Sequence, residues 1–167
     1  MFLYVLAAPV FLGEHLGLAP TQFFLFFCFS IGGIMGGAWF SGRLAGKIKP
    51  RAQIRRGFFI MLAMAVLNVV LNLVLPPSAW WALPVIGLFA LGWALMVPVV
   101  TLMVLDQVPE RRGMASSLQA CISSAANGLV AGVLVPLVMH STLALALASA
   151  SMMGIGLVAW LWVKREV

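Results

Sequence analysis

Long apolar segments separated by short polar turns run through the whole chain. Uncharged stretches cover residues 1–13, 16–42, 57–105 and 113–163. A membrane-spanning helix needs about 20 mainly apolar residues, and three of these stretches are long enough to hold at least one. The pattern predicts an all-α membrane protein whose helices are joined by short turns.

Turn residues divide the pattern into six predicted spans within a single domain, residues 1–167. The spans are 1–13, 21–41, 57–75, 84–105, 114–138 and 143–163. At about 1.5 Å per residue, the first span covers only about 20 Å of a hydrocarbon core about 30 Å thick. We therefore expect a first helix that is truncated at its start.

The basic residues mark one side of the membrane. All ten Lys and Arg residues lie in the loops at 42–56 and 106–113 and at the C-terminus, whereas the loops at 14–20, 76–83 and 139–142 contain none. Cytoplasmic loops carry the excess of Lys and Arg in membrane proteins. The sequence thus predicts a multi-pass protein of the inner (plasma) membrane with both termini in the cytoplasm.

Composition excludes a soluble domain. The chain is 63% hydrophobic and 8% charged, with a mean hydropathy of +1.12, which leaves too little polar surface for a water-soluble globule. The net charge of +6 could indicate nucleic acid, but clusters between spans favour lipid headgroups, so we expect a lipid bilayer and no nucleic acid as partner. Cys28 and Cys121 lie in apolar runs, where packed thiols are expected.

Catalytic chemistry is not indicated. There is no nucleophile–base pair, no metal-ligand cluster and no phosphate-binding glycine loop in the sequence, so we expect no enzyme, no metal and no cofactor. The middle of every span lacks Asp, Glu, Lys, Arg and His, the usual groups of proton relays. Glu14 and His15 lie in a predicted turn. We therefore expect them to be solvated loop residues rather than a protonation switch.

Small residues predict close helix packing. Gly32, Gly33, Gly36 and Gly37 form two interleaved small-xxx-small pairs, and Gly128 and Gly132 repeat the spacing. Such pairs let two helix backbones approach closely. Asn68 and Asn72 are four residues apart, and hydrogen bonding between helices is the favoured interpretation for them.

Two features suit a ligand cavity. Ser116, Gln119, Ser123 and Asn127 recur at three- and four-residue spacing and form one polar stripe, which either lines a wet cavity or holds helices together. Trp93 lies deep in the fourth span, followed by Met96. A Trp beside a flexible Met suits a loose apolar pocket, although packing is the commoner role.

The turns carry a family resemblance. Residues 42–51, GRLAGKIKPR, resemble the G-x-L-x-D-R-x-G-R-R signature of the major facilitator superfamily, with Gly46 and Lys49 at two altered positions, as in its weaker C-terminal copy. Residues 109–119, PERRGMASSLQ, resemble the turn between helices ten and eleven of the Bcr/CflA drug-efflux branch. Residues 2–4 and 8–11, followed by 16–18 and 22–23, resemble that branch's helix seven and the turn after it.

The resemblance implies helices seven to twelve, the C-terminal half, of a two-lobed transporter that exports amphipathic small molecules in exchange for protons. Helices seven, eight, ten and eleven of that family face the central cavity, and nine and twelve lie outside. The implied cavity residues are Tyr4, Phe26, Ser30, Trp93, Met96, Gln119, Ser123 and Asn127. The implied cytoplasmic gate and loop residues are Gly42, Arg43, Asp106, Glu110, Arg111 and Arg112.

One lobe cannot enclose a cavity formed between two. The leading hypothesis is therefore one lobe of a multidrug and antibiotic efflux antiporter, a fragment or a half that needs an N-terminal lobe. Two alternatives stay open. The chain is either a non-transporting six-helix membrane remnant or assembly protein, or a small transporter in which a second copy supplies the other lobe.

Overall fold

The structure is a computed structural model that describes residues 2–166, with side chains described for residues 2–162. All regular elements of this part of the chain are helical. They are α1 Phe2–Leu6, α2 Ala8–Val10, α3 Phe24–Leu44, α4 Pro50–Val74, α5 Ala79–Asp106, α6 Arg112–Leu129, α7 Val135–Val138 and α8 Thr142–Glu166. π-helical turns extend α2 over Phe11–His15 and join α6 to α7 over Val130–Leu134.

The predicted all-α membrane fold is confirmed. Within the described residues, five helical stretches are long and apolar enough to cross a membrane: Pro20–Leu44, Pro50–Val74, Ala79–Asp106, Pro109–Val138 and Thr142–Trp162. The first predicted span is a shorter, interrupted helix made of α1, α2 and the following π turn.

Helices α3 and α5 pack backbone to backbone because glycines remove the side chains between them. A Cβ built on Gly33 would collide with the carbonyl oxygen of Gly87, and one on Gly37 would collide with that of Leu91. Gly32 has nothing within 4 Å of such a Cβ. One face of the predicted glycine motif therefore makes the contact.

The same device joins α4 to α5 at a different level. A Cβ on Gly57 would lie 2.8 Å from the carbonyl oxygen of Gly92, and one on Gly92 would lie 3.0 Å from that of Gly57. Helix α5 is thus the central helix, with α3 against one side and α4 against another.

The interrupted first helix fills the largest apolar core cluster. Tyr4, Phe11 and Leu12 are buried there together with Phe26 of α3 and Leu145 of α8. The next residues make an unforeseen contact: His15 is partly buried, and its Nε2–H donates a hydrogen bond to the carbonyl oxygen of Met139, at 2.9 Å. The prediction of a freely solvated His15 is wrong, because the turn after α2 packs against the turn before α8.

The predicted loop at 42–56 is mostly helical in its second half. Helix α4 begins at Pro50, because proline is favoured in the first turn of a helix, where its missing N–H is not needed. Arg51, Arg55 and Arg56 therefore stand on the first two turns of α4 rather than in a loop.

Two packing predictions are wrong for the outer helix faces. Cys28 and Cys121 are free and exposed, and nothing lies within 4 Å of a Cβ built on Gly128 or Gly132. Spacing alone shows that a face can accept a close neighbour, but it does not show that this chain supplies one.

Candidate cavity and gate

Helix α6 stands apart from the packed bundle. None of its residues from Arg112 to Leu129 is buried, although α6 belongs to an apolar stretch long enough to cross a membrane. Its contacts are mainly with α5 and with its own π-helical continuation. The face of α6 that points away from α5 is free to meet water, lipid or another protein surface.

The polar stripe lies on this uncovered helix. Ser116, Ser123 and Asn127 are exposed. Gln119 is partly buried and donates from Nε2 to the Thr101 hydroxyl oxygen of α5, at 3.3 Å. The stripe therefore serves both roles that its spacing allows: Gln119 bonds two helices, while the other three side chains are open.

A cavity of about 570 Å³ opens beside the stripe. Trp93, Met96 and Asn127 all line it. Trp93 is 37% exposed, so part of its ring faces this space rather than the core. The volume falls within the range of small-molecule sites, which are mostly apolar with a few polar groups.

Methionines make much of the cavity wall. Besides Met96, the lining includes Met61 of α4 and Met152 and Met153 of α8. Ser149 of α8 adds a second polar group to that of Asn127. Unbranched thioether side chains adapt to irregular shapes, so this Met-lined cavity can accept apolar groups of varied outline.

Three other predicted cavity residues lie in the packed interior instead. Phe26 is fully buried, and the Tyr4 hydroxyl accepts a hydrogen bond from Asn68 Nδ2 at 2.7 Å. Ser30 is 2% exposed, and its Oγ has no hydrogen-bond partner among the described residues. The prediction that these three residues line the cavity is therefore not met in this arrangement of the helices, since none of them is among its lining residues.

Asn68 forms a hydrogen bond between two helices, as its spacing from Asn72 predicted. It donates to Tyr4, and Asn72 Nδ2 donates to its backbone and side-chain oxygens at 2.8 and 3.1 Å. The network joins α4 to α1 within the membrane.

The predicted gate residues occupy two neighbouring turns. Arg112 forms an ion pair with Asp106 at 2.7 Å, with both side chains largely exposed. Glu110 and Arg111 lie exposed on the short turn Pro109–Arg111 between them. The Asp106–Arg112 pair ties the end of α5 to the start of α6.

The last turn of α3 lies across a second space from Asp106. Arg43 stacks over the Trp39 ring, 4.2 Å from its centroid. Gly42 and Asp106 line a common cavity of about 470 Å³. The structure therefore brings the two predicted gate segments together at one end of the bundle.

Gln53 is the principal polar residue that the sequence analysis missed. It is 2% exposed, and its Nε2 donates to the Ser41 hydroxyl oxygen at 2.7 Å and to the Leu95 carbonyl oxygen at 3.0 Å. It thus joins α3, α4 and α5 beside the cavity under the gate. The sequence could have predicted that Gln53 is buried, because it shares a four-residue spacing with three other residues of the buried face of α4, namely Gly57, Met61 and Ala65.

Comparison with known proteins identifies a family. The family model of the Major Facilitator Superfamily matches residues 1–131. No curated protein matches the chain, and no solved structure matches it.

Proposed function

We propose a specific transport role for this chain, which belongs to the Major Facilitator Superfamily. Its several membrane-crossing helices and its family make it a multi-pass membrane transporter protein. The proposed role is that of the C-terminal six-helix lobe of a drug exporter. The proposed branch is Bcr/CflA, on the basis of the PERRG turn at 109–113. The proposed substrate is an amphipathic antibiotic or similar compound, moved in exchange for protons. The role is transport rather than catalysis.

The uncovered helix α6 is the observation that carries this proposal. Within a membrane-crossing stretch, the 18 residues of α6 include no buried one. An open polar stripe on such a helix is not stable facing hydrocarbon, since unpaired polar groups are costly there. The stripe needs water or a second polar surface. A central cavity between this lobe and another supplies both.

The Met-lined cavity supports an amphipathic substrate. Its wall combines Trp93 and methionines with two isolated polar groups, Asn127 and Ser149. Apolar compounds of different shapes fit flexible Met surfaces, and the absence of any charged residue from the described lining favours neutral or weakly polar groups at this point.

The proposed orientation in the membrane is supported by the positions of the basic segments. The turn after α3 and the last residue of α5, Asp106, line one cavity, and Lys49 shares a cleft with Trp160 and Leu161 near the end of α8. The basic segments therefore gather at one end of the bundle. On the positive-inside rule, we propose that this end faces the cytoplasm and that the protein lies in the inner membrane.

Drug accumulation tests the proposal. The chain is expressed in efflux-deficient bacteria, alone and fused behind the N-terminal six helices of a superfamily drug exporter, and membrane insertion is checked. We expect the fusion to lower accumulation of amphipathic antibiotics, and an uncoupler to abolish the effect. Trp93→Ala should raise accumulation several-fold, whereas Trp80→Ala, at a residue 92% exposed, should not.

The same assay separates the alternatives. Uncoupler-sensitive export by the chain alone favours a homodimer in which a second copy covers α6. Normal insertion with no export of any compound in either arrangement contradicts transport, and leaves a membrane remnant or an assembly protein.

A further inference from the structure

A basic cleft lies beside the Met-lined cavity, with which it shares Phe58, but none of the predicted gate residues lines it. It has a volume of about 410 Å³ and lies between the first turns of α4 and the last turns of α8. Lys49, Arg51 and Arg55 stand at its rim, and Phe59, Leu157 and Trp160 form part of its wall. Neither the proposed transport path nor the gate uses these residues.

The sequence of α4 places charge and apolar surface on one stripe. Arg51, Arg55, Phe58 or Phe59, and Leu62 follow each other at three- and four-residue spacing, so they share a helix face. Along this face the chemistry changes from cationic to apolar within two turns. Leu157, Trp160 and Leu161 repeat the apolar part on α8.

The three cations have no anionic partner in the described part of the chain. Among residues 2–162 the one ion pair is that of Arg112 with Asp106, and no Asp or Glu is among the residues that line the cleft. Lys49, Arg51 and Arg55 are all exposed. Three neighbouring cations beside an apolar groove make a positive potential that attracts an anion to this place.

We infer that this basic cleft binds an anionic phospholipid, with the phosphate at Lys49, Arg51 and Arg55 and an acyl chain along Phe59, Leu62 and Leu157. Basic pockets between helix ends hold the headgroups of anionic lipids. Arg forms paired hydrogen bonds with phosphate oxygens, and the Trp160 ring suits the headgroup level. Charge complementarity selects anionic over zwitterionic lipid. This inference is independent of the proposed transport function.

Native mass spectrometry of the purified full chain in detergent micelles tests the inference. Phosphatidylglycerol and cardiolipin are compared with phosphatidylethanolamine at equal concentration, and inorganic phosphate is added as a separate arm. We expect the anionic lipids to be retained at least tenfold better, and millimolar phosphate to leave them bound because it lacks the acyl chain. Equal retention of all three lipids, or displacement by free phosphate, would overturn the inference.

Matched charge removal locates the site. Arg51→Gln combined with Arg55→Gln removes two cations from the rim, and Lys47→Gln combined with Arg56→Gln removes two that do not line the cleft. We expect the first pair to weaken anionic lipid retention about tenfold or more and the second by less than twofold. Similar losses in both would show a diffuse charge effect and contradict a defined site.

Filling the apolar part gives a second, charge-neutral test. Leu62 is 42% exposed and stands at the apolar end of the cleft, so Leu62→Trp should obstruct the acyl chain while the fold is kept. We expect several-fold weaker retention of phosphatidylglycerol with unchanged circular dichroism. Unchanged lipid retention in this folded variant would contradict an acyl chain in the cleft.

Discussion

Helices α5 and α6 follow each other in sequence, yet they relate to the rest of the molecule in opposite ways. Helix α5 contacts α3 and α4 through glycines at backbone distance, and nine of its residues are buried. Helix α6 buries none. Both belong to stretches apolar enough to cross a membrane, so hydropathy does not distinguish them.

The difference between them lies in what each helix can bury. Without a hydrophobic driving force in lipid, helices associate through close packing and interhelical hydrogen bonds. Helix α5 offers Gly87 and Gly92 for the first, and Leu95 accepts the second from Gln53. Helix α6 instead offers the exposed side chains of Ser116, Ser123 and Asn127, and within the stripe Gln119 alone is bonded to another helix of the described chain. The side of the bundle around α5 is closely packed, whereas α6 leaves its polar stripe exposed.

Gly33→Ala should break the packed side most strongly. The new methyl group would occupy the position of the Gly87 carbonyl oxygen, and a backbone obstacle cannot move aside cheaply. We expect a loss of about 3 kcal/mol in the free energy of unfolding, measured in mixed micelles with increasing SDS. Gly32→Ala, with open space around its Cβ, should be neutral or stabilising by up to about 1 kcal/mol. Equal effects of the two variants would show that α3 and α5 are not in backbone contact.

Gln53→Leu removes the polar link among the three packed helices. The Ser41 hydroxyl loses its partner inside the bundle, so we expect a loss of about 1–2 kcal/mol in the same unfolding assay. Gln107→Leu changes an exposed residue at the end of α5 and should alter stability by less than about 0.5 kcal/mol. A Gln53→Leu variant as stable as the native chain would contradict a structural role for these hydrogen bonds.

Tyr4→Phe is a milder change, since it keeps the ring that packs edge-to-face against Phe11 at 5.2 Å and removes only the hydroxyl that accepts from Asn68. Interhelical hydrogen bonds in membranes contribute about 0.6 kcal/mol on average, and we expect a loss of that order. A double-mutant cycle with Asn68→Leu measures the coupling directly. Strictly additive losses would mean that the two side chains do not interact.

Sequence patterns predicted the packed half better than the open half. Apolar segments and turn residues predicted the helices, and glycine spacing predicted a close helix contact. The spacing did not distinguish Gly33, which makes the contact, from Gly32, which does not. It predicted the same contact at Gly128, where the chain provides no neighbour. Periodicity describes one face at a time, whereas contact requires a second face.

The candidate site was predictable in part for the same reason. Trp93, Met96 and Asn127 line one cavity, and each lies on a helix that the family resemblance directs toward a central space. Met61 and Met152 were missed because they lie on α4 and α8, which the resemblance assigns to the outside. Whether they line the cavity depends on how the helices pack against one another, and the sequence of one helix alone does not show this packing.

The smallest effect on stability, and the most direct test of the open side, is expected for Ser123→Cys in a Cys28→Ser background. Ser123 belongs to the polar stripe, and Cys121 lies two residues earlier, on another face of α6. Both are exposed, so the free energy of unfolding should change by less than about 0.5 kcal/mol.

If the stripe faces water in the membrane-inserted protein, a charged thiol reagent should modify the thiol introduced at position 123 several-fold faster than Cys121, whose environment is then lipid. Each rate is measured with the other cysteine absent, by keeping Ser123 in one variant and by Cys121→Ser in the other. Faster reaction at Cys121 would reverse the assignment of the wet face, and equal rates would mean that α6 is surrounded by one medium and separates no cavity from the lipid.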